Sequence, residues 1–357
     1  MAAPEFPTVS VCIPTYNGAK HLRDCLETVQ RQTLQSFEVI LVDDASTDRT
    51  VQIAAEFARN DRRFEFFSNS TRLGLASNWN RVVELSRGEW IKFVFQDDLL
   101  HETCLDRLVS ACTESRSTFG FCDRELLIEG DVSAGWLDAL ALQQRRLTSM
   151  YQHKHTFNAE EFIEACIADP DTNLVGEPTV TIFRRSAVAE IGLFEPRLIQ
   201  LADTEYWMRL GANYGVLHLP ESLATFRVHG SSTTSQNLAS RRYRMLTLDP
   251  LLQHYLVLRK PYYRSFRKVL FRKKGLIAPW WRCMREAYLA KEVSLAMPSP
   301  RRATSALKME WATVASAFPA LNLFAIVYAN LRRVWKCTSA PFLQLTRSIR
   351  LAALVSK

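Results

Sequence analysis

The stretch Phe37-Glu38-Val39-Ile40-Leu41-Val42-Asp43-Asp44 is an apolar run that ends in two adjacent aspartates. A second apolar run, residues 90–95, is followed after one residue by Asp97-Asp98. Runs of this kind are typical of strands buried in a parallel sheet. Ligands of open α/β sheets bind at the carboxyl ends of the strands. We therefore expect both acidic pairs at one crevice, where grouped carboxylates suit a divalent cation and a phosphate-bearing ligand. Taken alone, either pair could instead only cap the turn or helix that follows it.

Strand-like and helix-like segments alternate around these two runs. Short apolar runs predict strands at 9–13, 37–42, 64–67 and 90–95, and helical spacing of apolar residues predicts helices at 19–32, 48–59 and 76–86. This alternation predicts an α/β fold with a Rossmann-like, mostly parallel sheet flanked by helices. Farther along, we predict helices at 103–114, 159–168 and 204–214, strands at 179–183, 216–219 and 223–228, and a polar insertion at 131–157.

Composition bounds the class of protein. The chain has 357 residues, 47% of them hydrophobic, which is enough for one large domain or two medium ones. Its eight cysteines form no CxxC pair and no zinc-ligand spacing, so we expect reduced thiols in a cytosolic protein. The first seven residues lack the apolar region of a secretory signal peptide.

The charge is unevenly divided along the chain. Residues 241–357 contain 23 of the 45 basic residues but only 4 of the 37 acidic ones. We therefore predict an α/β domain at 1–240 and a basic, aromatic-rich helical region at 241–357. A basic half of this kind suggests an anionic partner surface. No nucleic-acid-binding motif accompanies the charge, so anionic lipid is favoured over nucleic acid.

Two segments of the basic region favour a membrane contact. Ten basic residues lie between Arg259 and Arg285, interleaved with tyrosine, phenylalanine and tryptophan. Such a mixture suits lipid headgroups, although a solvated helix face explains it equally well. Residues 311–331 carry no charged side chain. That length could span a bilayer, but Pro319 and several polar residues favour an interfacial or packed amphipathic helix.

Three motifs in this order resemble glycosyltransferase family 2. They are VSVCIPTYN at 9–17, VDDASTD at 42–48, and GEWIKF at 88–93 leading into Asp97-Asp98. The resemblance covers roughly residues 8–230. It implies the GT-A fold, a nucleotide-diphosphate sugar as donor, Mg²⁺ or Mn²⁺ as cofactor, and inversion at the anomeric carbon.

The resemblance also implies a nucleotide site. Pro14, Thr15 and Tyr16 leave the first strand where the base would lie. Asp44 matches the position that accepts a hydrogen bond from the base, and Asp43 lies beside it; a carboxylate can accept from such an N–H donor.

In the family, the second acidic pair and a histidine near the end of the domain bind the metal and the diphosphate. Asp98 matches the residue that binds the cation, with His229 as a further ligand, and Asp97 and Arg227 lie on the diphosphate side. A lone histidine is as often structural. The family often has an extra acid two residues before the pair, where this chain has Phe95, so metal affinity would depend on the diphosphate. Asn80 would either support the site or serve the fold.

Asp203 falls on the family's catalytic-base position. It would take the proton from the acceptor hydroxyl as that oxygen attacks the anomeric carbon. The acid that commonly precedes it is Ala202 here. The alternative is that Asp203 only caps the helix at 204–214.

The resemblance implies an inverting glycosyltransferase that acts on a glycan or lipid-linked acceptor in cell-surface polysaccharide synthesis. We expect it in the cytoplasm, peripheral at the inner face of the cytoplasmic membrane. A dehydrogenase would need a GxGxxG motif after the first strand, which is absent, and a nucleotidyltransferase would need a Gly-rich basic loop there. The remaining alternative is a catalytically degenerate GT-A domain that acts as a membrane-recruited binding protein.

Overall fold

The computed structural model describes residues 6–130, 147, 150–151, 154–170, 172–230, 232, 236, 244–296 and 301–338. The chain forms two compact units, Met1–Lys273 and Lys274–Lys357. Most of the predicted insertion at 131–157 lies outside the described residues.

The first four strands form the parallel half of the sheet. They are β1 (Val9–Thr15), β2 (Phe37–Asp43), β3 (Phe64–Ser68) and β4 (Trp90–Phe93), in the spatial order β3-β2-β1-β4. All residues of β1 and β2 are buried, as continuous apolar runs require. Because β1 pairs in parallel with both β2 and β4, the acidic pairs follow strands that end at the same edge of the sheet. The predicted α/β fold and the common edge are confirmed.

Helices connect these strands where the apolar spacing predicts them. They are α1 (Leu22–Gln30), α2 (Thr50–Asn60) and α3 (Leu75–Leu85). In α1 the buried side chains are Leu22, Cys25, Leu26 and Val29. This spacing of three and four residues places them on one helix face, which packs on the sheet.

The second half of the sheet differs from the prediction. Its strands are β5 (Leu99–Leu100), β6 (Phe119–Glu129), β7 (Thr156–Phe157), β8 (Thr181–Arg184) and β9 (Val216–His229). The two strands predicted at 216–219 and 223–228 are one continuous strand, β9, which pairs in parallel with β6. Pro220-Glu221-Ser222 has the composition of a turn, but the strand continues through it because the register with β6 shifts at Asp123. No sequence pattern predicted the strand β6.

Among the described residues, four helices accompany this half of the sheet. They are α4 (Cys104–Glu114), α5 (Ala159–Ala168), α6 (Ala187–Ile191) and α7 (Ala202–Tyr214). The start of α5 is a capping box, in which the Asn158 side chain accepts from the Glu161 amide and Glu161 accepts from the Asn158 amide. A 3₁₀ turn, Pro178–Val180, leads directly into β8.

The first compact unit extends beyond the predicted boundary at 240/241. Two further helices belong to it, α8 (Asp249–Arg259) and α9, which runs over Arg264–Lys274 and reaches the division between the units. Asp249 and Tyr263 from this segment are fully buried and hydrogen-bond to residues in and before α7. The charge of the chain changes near 240, whereas packing continues to Lys273.

The second unit contains α10 (Ile277–Ala296), α11 (Arg301–Ala317) and α12 (Pro319–Thr338). Aromatic contacts join α10 to α12: Trp280 meets Phe324 and Trp281 meets Tyr328, with ring centroids 5.9 and 5.0 Å apart. In the described part of the chain, no single helix has the length and apolarity to cross a membrane. Leu307–Ala317 and Pro319–Arg332 meet that requirement together, but they are bent by 109°.

Candidate active site

Asp43 ends β2 and is fully buried. It accepts hydrogen bonds from Thr15 Oγ1 at 3.1 Å, from the Ser46 amide at 2.8 Å and from Ser46 Oγ at 2.5 Å. Asp43 therefore joins the end of β1 to the loop after β2, and both border the predicted nucleotide site.

Asp44 joins the same edge to the segment before α3. Its Oδ1 accepts from the Leu73 amide at 2.7 Å and from Asn69 Nδ2 at 3.0 Å. Its Oδ2 accepts from the Gly74 amide at 2.9 Å. A carboxylate offers about four acceptor sites, so Asp44 retains capacity for one more donor.

Tyr16 lies between two residues that the sequence patterns did not indicate. The Gln96 side chain bonds the Tyr16 backbone twice, accepting from its amide at 2.9 Å and donating to its carbonyl at 3.1 Å. The Arg72 guanidinium lies 3.9 Å from the centre of the Tyr16 ring. Pro14 pairs with Val42 inside the sheet, and Thr15 with Asp43. Pro14 and Thr15 are thus buried strand residues, whereas Tyr16 is the first residue after β1 and is partly exposed.

Asp97 meets His229 at the end of β9. Asp97 Oδ2 and His229 Nε2 lie 3.0 Å apart, and the Asp97 side chain is 21% exposed. The His21 ring centre lies 5.0 Å from that of His229. The acidic contact seen for His229 is therefore with Asp97, whereas the sequence predicts it as a metal ligand together with Asp98.

Asp98 is fully buried. Its Oδ2 accepts from Thr179 Oγ1 at 2.5 Å and its Oδ1 accepts from the Arg227 amide at 3.0 Å. Burial, reinforced by the negative charge of Asp97, raises the pKa of Asp98 well above its usual range. Through these two bonds Asp98 ties the segment after β4 to Thr179 and to β9. With two of about four acceptor sites used, the carboxylate keeps capacity for a further partner.

The Arg227 side chain is held by two acidic side chains and one backbone carbonyl. Its Nε donates to the Asp97 carbonyl at 2.8 Å, and its guanidinium forms ion pairs with Glu129 and, at 3.4 Å, with Asp24. Arg227 is also 5% exposed. Glu129 and Asp24 therefore balance much of its charge within the protein, and the contact of Arg227 with a diphosphate stays a prediction.

A divalent cation would find few ready ligands here. Among the residues that the structure describes, no group of three or more histidine, cysteine, aspartate or glutamate side chains forms a metal cage. Asp97 and His229 together offer one carboxylate and one imidazole. Mg²⁺ commonly takes one or two carboxylates and completes its shell with water and substrate phosphate. The residues fit a cation that arrives with a diphosphate.

Asp203 lies in the first turn of α7, which begins at Ala202. The residue that flanks the helix start is Leu201, so Asp203 is not the capping residue. Its Oδ1 accepts from the Thr204 amide at 2.7 Å and its Oδ2 accepts from Asn173 Nδ2 at 3.2 Å. Burial, with a smaller effect of Glu177, raises the pKa of Asp203 to about 7. That value suits a general base near neutral pH.

One loop, residues 173–179, connects Asp203 to the second acidic pair. Asn173 at its start bonds Asp203, and Thr179 at its end bonds Asp98. Between them Glu177 forms an ion pair with the buried Arg124, Nε to Oε2 at 2.7 Å. The resemblance implies that Gly176-Glu177-Pro178 of this loop borders the acceptor side. Asn173 and Thr179 had no such indication, because they join the site through hydrogen bonds and carry no recognisable spacing.

Asn80 serves the fold. Its Nδ2 donates to the Phe194 carbonyl at 2.9 Å, and its Oδ1 accepts from the Phe194 amide at 2.8 Å. This pair of bonds ties α3 to the segment that precedes α7, which supports the structural interpretation of Asn80.

Known proteins resemble the chain in sequence. A family model described as "Glycosyl transferase family 2" matches residues 10–191, more than half of the chain. The uncharacterized protein MT1568 of Mycobacterium tuberculosis is 29% identical over 309 residues, or 84% of this chain and 88% of the relative. A PGL/p-HBAD biosynthesis glycosyltransferase of Mycobacterium bovis is 43% identical over 102 residues, or 29% of this chain and 39% of the relative.

Solved structures resemble it in fold. Staphylococcus aureus TarS 1-349, crystallised with UDP, matches with a TM-score of 0.53 and 17% identity over 91% of each chain. The mannosyltransferase PcManGT of Pyrobaculum calidifontis, in complex with GDP-Man and Mn²⁺, matches with a TM-score of 0.51 and 17% identity over 93% of this chain and 88% of that chain. At these identities the likeness establishes the fold, which is GT-A.

Proposed function

Because the chain belongs to glycosyltransferase family 2, we propose that it transfers a sugar from a nucleotide-diphosphate sugar to a hydroxyl of a glycan or lipid-linked acceptor, with inversion. The observation that carries the proposal is the loop 173–179. It holds Asp203, with a pKa suited to a base, and Asp98 of the second acidic pair through two side chains of one short segment. An inverting transfer needs a base and a leaving-group site arranged around one sugar.

The donor would lie along the edge formed by β2, β1 and β4. The Tyr16 ring would contact the base, and the remaining acceptor capacity of Asp44 would receive an N–H of the base. TarS has been crystallised with UDP and with UDP-GlcNAc, and PcManGT with GDP-Man, which supports a sugar nucleotide without choosing between nucleotides.

Asp97 and His229 would hold Mg²⁺ or Mn²⁺ when the diphosphate is present. When bound, the cation supplies positive charge that stabilises the departing diphosphate. Asp98 would keep the ends of β4 and β9 together through Thr179 and the Arg227 amide, so that the two ligands stay within reach of one ion. The complex of PcManGT with Mn²⁺ supports this cofactor class.

Asp203 would accept the proton of the acceptor hydroxyl. Asn173 holds one oxygen of its carboxylate and the Thr204 amide holds the other, which fixes the direction of the base. A hydroxyl oxygen that loses its proton attacks the anomeric carbon from the face opposite the leaving diphosphate, and the configuration inverts.

The first test is a donor screen with purified protein. Release of nucleoside diphosphate from UDP-, GDP- and dTDP-sugars would be followed with and without Mg²⁺ or Mn²⁺. We expect metal-dependent release from one donor, and loss of that release in Asp203→Asn with donor binding retained. Asp61→Asn, a change at a turn after α2, is the matched control. If the protein binds no donor in either metal, the transferase proposal fails and the non-catalytic binding protein takes its place.

The proposed class of acceptor is inferred from the names of similar proteins. The name of the M. bovis relative places that protein in PGL/p-HBAD biosynthesis. We propose by analogy that this chain acts in cell-surface polysaccharide or glycolipid synthesis. A lipid-linked or glycan acceptor that accelerates diphosphate release over water would support the analogy, and equal rates with and without such acceptors would oppose it.

We also propose that the protein lies on the cytoplasmic face of the cytoplasmic membrane. Arg264 and Lys268 are exposed on α9, whereas Phe266 and Val269 of the same helix are buried. Leu276 and Ile277 follow α9 and are 64% and 78% exposed. Exposed cations suit an anionic bilayer surface, and exposed apolar side chains close to them in the sequence suit insertion into it.

Vesicle co-sedimentation tests this surface. The full chain should sediment with vesicles that contain phosphatidylglycerol and stay in solution with pure phosphatidylcholine. Lys268→Glu with Lys274→Glu should reduce binding at least tenfold, and the control Arg59→Glu with Arg62→Glu, at exposed positions around the end of α2, should leave it unchanged. Equal losses in both double variants would show that net charge, and no particular surface, drives binding.

A further inference from the structure

Asp249 is a buried carboxylate outside the region that the family model matches. It is the first residue of α8 and has no exposed surface. Its Oδ2 accepts from three successive backbone amides, those of Ile199, Gln200 and Leu201, at 2.9, 2.6 and 3.3 Å. A side chain from one segment therefore holds the backbone of another at three consecutive residues.

The other oxygen of Asp249 has a partner of its own. Arg244 Nε donates to Oδ1 at 2.8 Å, and the Arg244 side chain is also buried. This ion pair orients the carboxylate so that Oδ2 faces the three amides. Hydrogen bonds with a charged partner are about twice as strong as neutral ones, so the arrangement is rigid.

The three amides lead directly into the catalytic base. Leu201 flanks the start of α7, and Asp203 follows two residues later in its first turn. The body of α7 is held separately, because Arg209 donates to the carbonyls of Ile191 and Leu193 at 2.8 Å each and Tyr263 donates to the Glu205 carbonyl at 2.9 Å. Loss of the Asp249 contact would therefore release the entry to the helix and leave its packing in place.

We propose that Asp249 is a positioning residue for the base Asp203, acting through the 199–201 backbone. The inference rests on the proposed function and adds to it a segment of the chain, residues 244–249, that carries no family motif. Rates of positioned reactions are sensitive to small displacements, and a shift of about 1 Å can lower them about a hundredfold. The position of the acceptor-side base depends on this contact, whereas the donor edge at β1 and β2 does not.

Asp249→Asn tests the inference. An amide retains one acceptor oxygen, but its NH₂ group would face the Arg244 Nε–H, so the side chain cannot satisfy both neighbours at once. With the donor identified by the screen, we expect kcat to fall about 10- to 100-fold while KM for the donor changes less than about threefold. We also expect faster hydrogen exchange at the amides of 199–201, and unchanged exchange in β1 and β2.

A second substitution separates the effect of holding the 199–201 backbone from the effect of losing the charge of Asp249. Arg244→Gln in the Asp249→Asn background offers a carbonyl to the new NH₂ group and lets the Asn oxygen return to the three amides. This double variant should recover most of the lost kcat and the slow exchange at 199–201. Asp61→Asn, which also exchanges a carboxylate for an amide at a turn, should alter neither measurement.

The outcomes distinguish the two proposals. An unchanged kcat in Asp249→Asn, or an equal loss in kcat and in donor affinity, would overturn the positioning role. If the unsubstituted protein turns over no donor, the proposed function fails; hydrogen exchange at 199–203 then decides alone whether Asp249 holds the entry to α7, and unchanged exchange would overturn that as well.

Discussion

Asp97 Oδ2 and His229 Nε2 lie 3.0 Å apart, although 132 residues separate them in the chain. The short strand β5 follows Asp98 at once and pairs antiparallel with β9, Leu99 opposite Thr225. That pairing brings the acidic pair against the last residues of β9, where the Arg227 amide meets Asp98. The pairing of two strands, more than any property of the histidine itself, creates the site.

Substitution of Asp97 or of His229 should lower the affinity of the protein for the divalent cation. In Asp97→Asn or His229→Asn, the cation would keep one protein ligand at most from the pair, so its affinity in the presence of nucleoside diphosphate should fall at least tenfold. Titration of Mn²⁺ by calorimetry, with and without nucleoside diphosphate, measures this. The exposed residues His101 and Asp106 provide controls in His101→Asn and Asp106→Asn. Equal Mn²⁺ affinity in all four variants would contradict the assignment.

The parallel half of the fold was accessible from sequence because its signals are local. Buried strands such as β2 are continuous apolar runs, and the helix α1 shows its buried face at spacings of three and four. The acidic pairs stand at the end of β2 and shortly after the end of β4, so parallel pairing alone brings them to one edge. The matching residues of the family then suggested roles for Asp44, Asp98 and Asp203.

The second half of the sheet and the remaining site residues depend on contacts between residues that are distant in the sequence. The strand β6 alternates apolar and polar residues only in part, and β9 runs through Pro220 because of a register shift that no local pattern reveals. Thr179 and Asn173 belong to the site only through their partners Asp98 and Asp203. Asp249 is one acid in a strongly basic segment, and its role appears only when its three amide partners are in view.

The transfer rate should depend on the protonation of Asp203. Burial raises the pKa of Asp203 to about 7, and a base must be deprotonated to accept a proton. We therefore expect kcat to rise about tenfold per pH unit below pH 7 and to level off above it. A kcat profile between pH 5 and pH 9, at saturating donor and metal, measures the midpoint. A flat profile across this range would exclude Asp203 as the base in the rate-limiting step.

The same raised pKa predicts the effect of Asp203→Asn on stability. The ordinary pKa is 3.8, so the folded protein holds this proton more tightly than the unfolded chain. The stabilisation is fully present below pH 3.8 and is lost as pH rises through about 7. In Asp203→Asn the amide does not titrate, so the variant does not lose stability at this site as pH rises. Relative to the unsubstituted protein, the variant should gain roughly 1–4 kcal/mol between pH 4 and pH 8, at about 1.4 kcal/mol per unit of pKa. Urea denaturation at both pH values checks the sign, and a gain that is equal at the two pH values would contradict it.

The buried ion pair of α7 should be sensitive to loss of its cation. Glu205 and Arg209 lie 2.7 Å apart with almost no exposed surface, and burial raises the pKa of Glu205. Arg209→Met leaves that carboxylate without its charge partner and should lower the free energy of unfolding by about 3–5 kcal/mol. Glu205→Gln added to it should restore part of the loss, because a neutral amide is cheaper to bury. Urea denaturation measures both.

An exposed pair supplies the comparison. Arg107 and Glu221 also form an ion pair, but their side chains are 48% and 35% exposed. Arg107→Met should therefore change the free energy of unfolding by at most about 1 kcal/mol. Equal losses in Arg107→Met and Arg209→Met would mean that burial does not govern these pairs.

Ala45 has a left-handed backbone, with φ at 61°, directly after the acidic pair Asp43-Asp44. An L-residue in this region costs about 1–2 kcal/mol, and glycine avoids that strain while giving up about 0.5–1 kcal/mol of chain entropy. Ala45→Gly should therefore raise the free energy of unfolding by up to about 1 kcal/mol. Ala58→Gly, within the helix α2, should lower it by about 1 kcal/mol. Urea denaturation of the two variants should thus give opposite signs. If both substitutions destabilise equally, the turn after β2 does not hold Ala45 in the left-handed conformation, and the hydrogen bonds of Asp43 to Ser46 would have to form in another geometry.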